Sequence, residues 1–246
     1  MLSHPTLEKL RQMKCYGMAK SFEQQLNCSD YDGLSFEDRF GLMVDMEMTE
    51  KENRRLTTRL RQAKLRQQAC MENIDYRTPR KIDKSLMKSL ATCKWIKDNL
   101  NILITGKTGA GKSFLACAFG HKACLYGYKT LYFRAPRLFH DLAVARGDGR
   151  YNKIMKSISK ANLLIVDDWG LAKLSDQEQM DFLEILEDRY GIHSTIIASQ
   201  FTHTYWHELM ANPTLADAIM DRFIHNAYKI NLEGEDSMRK KKNNLT

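Results

Sequence analysis

Apolar residues follow two different periods along the chain. From the start to about residue 70 they recur at steps of three and four, the spacing of one helix face. A second helix is predicted to begin at Ser35, because its hydroxyl can accept a free N–H group and Asp38 suits the helix dipole. The first series is Leu7, Leu10, Cys15, Met18 and Phe22, and the second is Phe36, Phe40, Met43, Val44 and Met48.

The second helix runs on into a polar stretch. Residues 52–61 are polar on nearly every side, so this part needs a partner to order its face. Pro79 disfavours helix at the preceding Thr78, which places a linker at about residues 70–80. The sequence therefore predicts an N-terminal helical region of residues 1–75 and a second domain of residues 76–246.

After residue 98 short apolar runs rich in β-branched residues alternate with helical segments. Continuous apolar strands in this alternation indicate a parallel sheet with helices on both faces. The predicted fold class is therefore α/β, with a five-stranded parallel sheet behind an α-helical N-terminal region. The five strands are predicted at Leu100–Thr105, Thr130–Phe133, Leu163–Asp167, Thr195–Ser199 and Tyr228–Leu232.

The positive charge is concentrated in one segment. The chain has a formal net charge of +8, and residues 51–94 hold 13 Lys and Arg against 4 Asp and Glu. Such a block suits a polyanion, since each neutralised phosphate releases counterions, but it is equally typical of a solvated helix face. The candidate DNA-contacting residues are Arg54, Arg55, Arg59, Arg61, Lys64 and Arg66.

Other classes of protein are disfavoured by composition. No apolar run approaches the roughly 20 residues of a transmembrane helix, and the N-terminus lacks an apolar stretch suited to secretion. The six cysteines include no C-x-x-C pair, which argues against a zinc ribbon and for free thiols in a reducing compartment. We expect a cytoplasmic protein without a membrane partner.

One segment matches a phosphate-binding loop at every fixed position of G-x-x-x-x-G-K-[ST]. A predicted strand leads into it and a helix leads out, as phosphate binding by backbone N–H groups requires. Lys112 would reach the β- and γ-phosphates of ATP, and the Ser113 hydroxyl would bind Mg²⁺. The loop consists of Gly106, Lys107, Thr108, Gly109, Ala110, Gly111, Lys112 and Ser113.

Two acids end the third predicted strand. We expect this strand to lie beside the loop strand, so that Asp167 reaches the Mg²⁺ shell and Asp168 can polarise the attacking water. The alternative is a pair of acids that cap the next helix. A small-molecule kinase would use the same loop, but it would also need a lid and a substrate pocket that the sequence does not reveal.

Three further polar residues are candidates for the γ-phosphate. Gln200 follows the fourth strand, Arg222 lies on a predicted helix and Arg239 lies near the C-terminus. An arginine delivered to the γ-phosphate stabilises the charge of the transition state. For both arginines the alternative is a surface ion pair.

Together these residues resemble the AAA+ superfamily, and within it the IstB-like helper ATPases of insertion sequences, which are related to DnaC-type helicase loaders. The resemblance covers nearly the whole chain. Its most specific motifs are Asp-Asp-Trp-Gly at residues 167–170 and Ala-Asp-Ala-Ile at residues 216–219.

The resemblance implies roles for the weaker candidates. Gln200 looks like a sensor, Arg222 like an arginine finger that reaches a neighbouring subunit, and Arg239 like a second sensor. The segment before Arg239 is one residue longer than the family pattern, and the helical lid is reduced. The implied fold is an AAA+ core, and the implied function is an oligomeric, Mg²⁺-dependent ATPase on double-stranded DNA that assists a transposase.

Two other functions stay open on the sequence. A helicase loader would bind single-stranded DNA, which favours exposed aromatic residues, and residues 51–75 contain none. A nucleotide-gated binding module would need no catalytic acids or arginines.

Overall fold

The computed structural model of the protein describes residues 4–210, 212–234 and 238. The chain forms two compact units, Met1–Thr58 and Arg59–Thr246. Residues 59–75 therefore group with the larger unit, whereas the sequence analysis placed them in the N-terminal region. Ala69, Met71 and Ile74 show the reason, since all three are buried in the core of that unit. The functional assignment of residues 1–75 stays a prediction.

The smaller unit begins with two helices where the apolar series suggested one. Lys14 has a positive φ of 59°, and the N–H of Cys15 returns to the carbonyl of Leu10 over 2.9 Å. This pairing ends a helix and turns the chain, and a simple period of three and four does not reveal it. The helices of this unit are α1 (Pro5–Gln12), α2 (Tyr16–Asn27), the short 3₁₀ turn Ser29–Tyr31 and the first part of α3 (Phe36–Ala63).

The start of α3 is as predicted. The N–H of Asp38 donates to the Ser35 hydroxyl over 3.1 Å, which satisfies one of the free donors of the first turn. Of the apolar residues predicted along one side of α3, Met43 is buried with α1 and α2, while Phe36 is 75% exposed. The other three are exposed to a lesser degree: Phe40, Val44 and Met48.

Glu47 connects α3 to α2 inside the smaller unit. Its carboxylate is buried and accepts the N–H groups of Gly17 over 2.7 Å and Met18 over 3.2 Å. These are donors of the first turn of α2, which have no partner within their own helix. A carboxylate at the positive end of a helix dipole is stabilising, so Glu47 fixes the packing of the two helices.

The larger unit contains the five predicted parallel strands. They pair in the order β2-β3-β4-β1-β5, and every pairing is parallel, so the predicted fold class is confirmed. One predicted pairing is wrong. The acid-bearing strand β3 was expected beside the loop strand β1, but β4 lies between them. The strands are β1 (Asn101–Gly106), β2 (Thr130–Arg134), β3 (Leu163–Trp169), β4 (Ser194–Ser199) and β5 (Ala227–Leu232).

Helices cover both faces of this sheet. Residues 69–74 and helices α4, α5 and α6 share one buried cluster with alternate side chains of β1, β3 and β4. Helices α7, α8, α9 and α11 share the other. They are α4 (Lys84–Leu90), α5 (Lys94–Lys97), α6 (Lys112–Leu125), α7 (Ala135–Gly147), α8 (Tyr151–Ser159), α9 (Asp176–Arg189), α10 (Trp206–Leu209) and α11 (Pro213–Ile224), with 3₁₀ turns at Met71–Asn73 and His203–Tyr205.

Across the described ranges, no helix combines the length and the apolar character needed to cross a bilayer.

Candidate nucleotide-binding site

The predicted phosphate-binding loop joins the end of β1 to the start of α6. Gly106 has φ 146° and its backbone lies against β5, so an added Cβ would stand 2.4 Å from the carbonyl oxygen of Leu232. Gly111 has φ 100°, a conformation that residues with a side chain rarely adopt. These two glycines let the chain curl from strand to helix, which directs free N–H groups of the helix start toward the loop.

Lys112 is held over its own loop. Its side chain is buried, and Nζ donates to the carbonyl oxygens of Gly106 over 2.7 Å and Lys107 over 3.0 Å. The ammonium group is therefore positioned at the carboxyl edge of the sheet before any phosphate contact is made. A point charge fixed in this way suits the β- and γ-phosphates of a nucleotide.

Arg80 hydrogen-bonds the backbone of the loop, although it belongs to no recognisable sequence motif. It is buried, and its Nη1 donates to the carbonyl oxygen of Ala110 over 3.0 Å. An added Cβ on Gly111 would stand 2.7 Å from the same nitrogen. Burial lowers the pKa of Arg80. Met238 lies on another side, where its N–H donates to the carbonyl of Gly109 over 3.0 Å.

Asp167 lies buried two residues before the end of β3. The Tyr132 hydroxyl donates to its Oδ2 over 2.6 Å, and the N–H of Asp168 donates to its Oδ1 over 2.9 Å. Burial, and after it the Asp167 carboxylate, raises the pKa of Tyr132, so the phenol keeps its proton and acts as the donor. This orients the carboxylate while each oxygen retains a lone pair for a metal ion.

Asp168 carries two guanidinium contacts. Its Oδ2 accepts from Nε of Arg134 over 2.7 Å and from Nη1 of Arg66 over 3.2 Å. The same Arg66 nitrogen is 3.7 Å from Asp167. Arg134 ends β2, which pairs with β3, and Arg66 follows α3. The structure thus brings together the two acids and two arginines from distant parts of the chain.

The two residues after the acid pair fix its position. Trp169 is buried against the rings of Phe182 and Trp206, so the chain beyond Asp168 is anchored in the core. Asp168 and Gly170 both have positive φ, and an added Cβ on Gly170 would stand 2.7 Å from Leu209. These constraints explain physically why an aromatic residue and a glycine follow the acids.

Gln200 lies between the loop and the acid pair because β4 lies between β1 and β3. Its Oε1 accepts the hydroxyl of Thr108, a loop residue, over 2.8 Å. The neighbouring Ser199 donates to the carbonyl of Trp169 over 3.0 Å, which ties β4 to the segment after the acids. A side chain that follows β4 is therefore in contact with the loop.

Comparison with known proteins agrees with this geometry. Residues 8–246 match the family of IstB-like ATP binding proteins. The chain belongs to this family. A putative insertion sequence ATP-binding protein of Sinorhizobium fredii, y4pL, is 49% identical over 97% of this chain and 98% of its own length.

Two solved structures share the fold of this IstB-like protein. The crystal structure of DnaI superposes with a TM-score of 0.57 at 22% identity, covering 70% of this chain and 91% of that one. The DnaC helicase loader superposes with a TM-score of 0.55 at 18% identity, covering 67% and 97%. At these identities the likeness concerns the fold alone.

Arg222 of the IstB-like protein lies in the last turn of α11. It pairs with Asp221 over 2.8 Å and Glu187 over 3.9 Å, and its guanidinium carbon is 5.3 Å from the centroid of the Tyr190 ring. The side chain is 39% exposed. Arg239, the other predicted sensor, lies outside the described residues.

The predicted DNA-contacting residues do not lie along a single helix. Helix α3 ends at Ala63, so Lys64 and Arg66 lie beyond it. Three members have structural partners: Arg54 pairs with Glu47, Nε of Arg59 donates to the carbonyl oxygen of Cys124, and Arg66 contacts Asp168. Arg55, Arg61 and Lys64 are exposed, with Arg55 3.8 Å from Glu52.

The candidate metal ligands are few. Within the described ranges, no group of three or more His, Cys, Asp or Glu residues could hold a metal ion by itself. Asp167 and Ser113 offer one carboxylate and one hydroxyl, which are hard oxygen donors. This set fits Mg²⁺, which is usually bound by one or two protein oxygens together with phosphates.

Sequence reasoning missed Tyr132, Arg134 and Arg80. Arg134 carried a usable signal, since it directly follows the predicted strand Thr130–Phe133 and strand ends of a parallel sheet share one edge. Tyr132 lies inside a strand and Arg80 in a loop, and neither position has a pattern that distinguishes it from an ordinary structural residue.

Proposed function

We propose that this IstB-like protein is a Mg²⁺-dependent ATPase that assembles on double-stranded DNA and assists a transposase in target selection. The observation that carries the proposal is the contact between Lys112 and its own loop, beside an acid pair at the same edge of the sheet. Membership in a family of insertion-sequence ATP-binding proteins supplies the biological setting.

The nucleotide would lie along the loop from Gly106 to Ser113. Backbone N–H groups would bind the phosphates, and Lys112 would leave the carbonyls of Gly106 and Lys107 to reach the β- and γ-oxygens. Ser113 and Asp167 would hold Mg²⁺, which when bound neutralises charge on the phosphates. Removal of the ion with a chelator should therefore stop turnover.

Hydrolysis would rely on Asp168 and Gln200. A carboxylate oxygen of Asp168 would orient and polarise the water, and Gln200, which already contacts Thr108 of the loop, would respond to the γ-phosphate. Arg134 would hold the Asp168 carboxylate from β2.

Assembly would place Arg222 of one subunit at the nucleotide of the next. Its present partners, Asp221 and Glu187, are partly exposed carboxylates, and ion pairs of this kind are weak. A bound γ-phosphate carries more charge and offers bidentate geometry, so it can compete for the guanidinium. ATP would then join subunits, and hydrolysis would release them.

Duplex DNA would be bound through exposed cations such as Arg55, Arg61 and Lys64. These contacts neutralise phosphates and do not read base edges, so binding should be independent of sequence and sensitive to salt. A row of ATP-joined subunits would multiply the contacts and raise affinity through effective concentration. All six cysteines are free thiols, which accords with action in the cytoplasm.

The test measures ATP hydrolysis and DNA retention on the full chain, with and without an insertion-sequence transposase as the candidate partner. We expect ATP-dependent, salt-sensitive retention of duplex and integration products that depend on Lys112. Preference for single-stranded DNA, with no effect on transposition, would instead favour a helicase loader. Duplex binding with no phosphate release would favour a nucleotide-gated binding module.

A further inference from the structure

Arg66 is the only one of the six predicted DNA-contacting residues with a described contact to the acid pair. Its Nη1 is 3.2 Å from Oδ2 of Asp168 and 3.7 Å from Oδ2 of Asp167. The side chain is 37% exposed, whereas those of Asp168 and Asp167 are 18% and 1% exposed. The guanidinium therefore lies at the rim of the site, in contact with both solvent and the acids.

The backbone beneath Arg66 is anchored. Leu65 packs against Gly120 of α6, and Ala69 is buried in the core. The N–H groups of Arg66 and Gln67 face the sulfur of Cys117, also on α6. Since this short segment is fixed to the helix that begins at Lys112, a change of partner by Arg66 would be a rotation of its long side chain away from the two acids and from the Tyr132 hydroxyl, which it also contacts.

The Arg66 contact constrains Asp168. A carboxylate oxygen has two lone pairs, and Oδ2 of Asp168 already accepts from Arg134 and Arg66. Two guanidinium groups on one oxygen fix the rotation of the carboxylate. They also offset its negative charge, so it orients and polarises a water less well.

The two arginines differ in what else they can reach. Arg134 is the last residue of β2, whose backbone is paired to β3. Arg66 follows Arg61 and Lys64 in the chain, two of the exposed cations that we propose to bind duplex DNA. A phosphate bound near Lys64 would therefore compete with Asp168 for Arg66 and would leave the Arg134 contact in place.

We propose that Arg66 is a positioning residue that couples duplex binding to ATP hydrolysis. In the absence of duplex it holds Asp168. When a backbone phosphate takes the guanidinium, Asp168 keeps one arginine and can turn toward the water. This inference rests on the proposed ATPase and duplex-binding function, and it specifies how the duplex regulates the acid pair.

The first experiment compares phosphate release with and without duplex for the wild type, Arg66→Gln and Arg134→Gln. We expect duplex to stimulate the wild type. Arg66→Gln should hydrolyse ATP faster than the wild type without duplex and gain little on adding it. Arg134→Gln removes the other guanidinium but should keep its response to duplex. Arg66→Lys, which can still pair with either partner, should retain part of the stimulation.

The second experiment needs no hydrolysis. If Asp168 and a phosphate compete for Arg66, then Asp168→Asn should raise the affinity of the nucleotide-free protein for a short duplex, because coupling between two ligands is reciprocal. The gain should be about two- to fivefold, the size of a partly exposed ion pair. It should vanish in the double variant with Arg66→Gln. Arg66→Gln alone should lower the log–log salt slope by about 0.9.

Two results would overturn the coupling role. One is an Arg66→Gln protein that hydrolyses ATP more slowly yet keeps the wild-type stimulation ratio, which is the behaviour of a purely structural contact. The other is an unchanged duplex affinity in Asp168→Asn. Failure of the proposed function is a separate observation, since it shows in the wild type as absent turnover or absent duplex binding.

Discussion

Nζ of Lys112 lies 2.7 Å from the carbonyl oxygen of Gly106, so the last residue of β1 holds the ammonium group of the first residue of α6. The contact closes the loop on itself. It also means that a nucleotide does not have to order this lysine, only to exchange its carbonyl partners for phosphate oxygens.

Lys112→Ala should weaken ATP binding by about 10- to 100-fold, the size of one strong charge-assisted contact. A fluorescence titration with ATP measures it. Lys107→Ala is the matched control, because it removes an exposed cation from the same loop but keeps the backbone carbonyl that Lys112 uses. Equal affinities for the two variants would show that the loop does not bind phosphates through Lys112.

Asp168→Asn should separate ATP binding from turnover. The amide is a poor base, so phosphate release should fall by at least about 100-fold, while Asp167 and Ser113 still hold Mg²⁺. The protein should then stay on duplex DNA in its ATP form, which a filter-retention assay follows over time. Asp176→Asn on α9 removes an exposed acid and serves as the control. Wild-type turnover in Asp168→Asn would assign the role to another residue.

Arg222→Ala should leave ATP affinity nearly intact but suppress hydrolysis and ATP-dependent assembly, which light scattering and phosphate release measure together. Mixing it with Lys112→Ala should restore part of the activity, because one kind of interface then has both an intact loop and an intact Arg222. The control Arg137→Ala breaks another exposed ion pair, with Asp141 at 3.0 Å. A mixture as inactive as its components argues against a shared site.

Changing Arg55, Arg61 and Lys64 together to Gln should reduce the log–log salt slope of duplex binding by about 2.7, at about 0.9 per phosphate contact. ATP affinity should not change. The control changes Lys153, Lys156 and Lys160 to Gln, which alters net charge by the same amount at α8 and its C-cap. Arg54 and Arg59 are left in place, since each has a structural partner. Equal slopes in both variants would move the duplex contacts elsewhere.

Glu47→Gln should destabilise the packing of α2 on α3 by about 1.5–3 kcal/mol, the range for hydrogen bonds to a charged group. Native-state hydrogen exchange of the full chain measures it at the amides of α2. Glu50→Gln, which changes a half-buried acid of the same helix that accepts no backbone N–H of α2, is the control. Equal exchange in the two variants would show that the Glu47 charge contributes nothing.

The Glu47 effect should depend on pH. Burial alone would raise the pKa of Glu47, but the N–H groups of Met18 and Gly17 and the nearby Lys51 outweigh it and hold the pKa below its ordinary value of 4.5. The stabilisation is therefore complete above that value and is lost as the pH falls through the lower pKa of the folded state. The difference in the stability of α2 between the wild type and Glu47→Gln should therefore become smaller as the pH falls through that range.

The sequence by itself determined the elements whose cause is local. The loop from Gly106 to Ser113 is contiguous, so its eight residues are enough to predict phosphate binding. The apolar runs of the strands predict a buried parallel sheet without knowledge of which strands pair. The capping of α3 by Ser35 is local in the same way. By contrast, Lys14 ends α1 through a backbone conformation that the apolar spacing does not encode.

Only the tertiary structure decided which distant residues meet. Insertion of β4 between β1 and β3 places Gln200 beside Thr108, and the pairing of β2 with β3 brings Arg134 to Asp168. Arg66 is 102 residues from Asp168 in the chain. From the sequence alone, its positive charge was as compatible with binding a DNA phosphate as with pairing to a carboxylate. Charge and composition are properties of a residue, whereas the partner of a charge is set by strand order and packing, which no local pattern records.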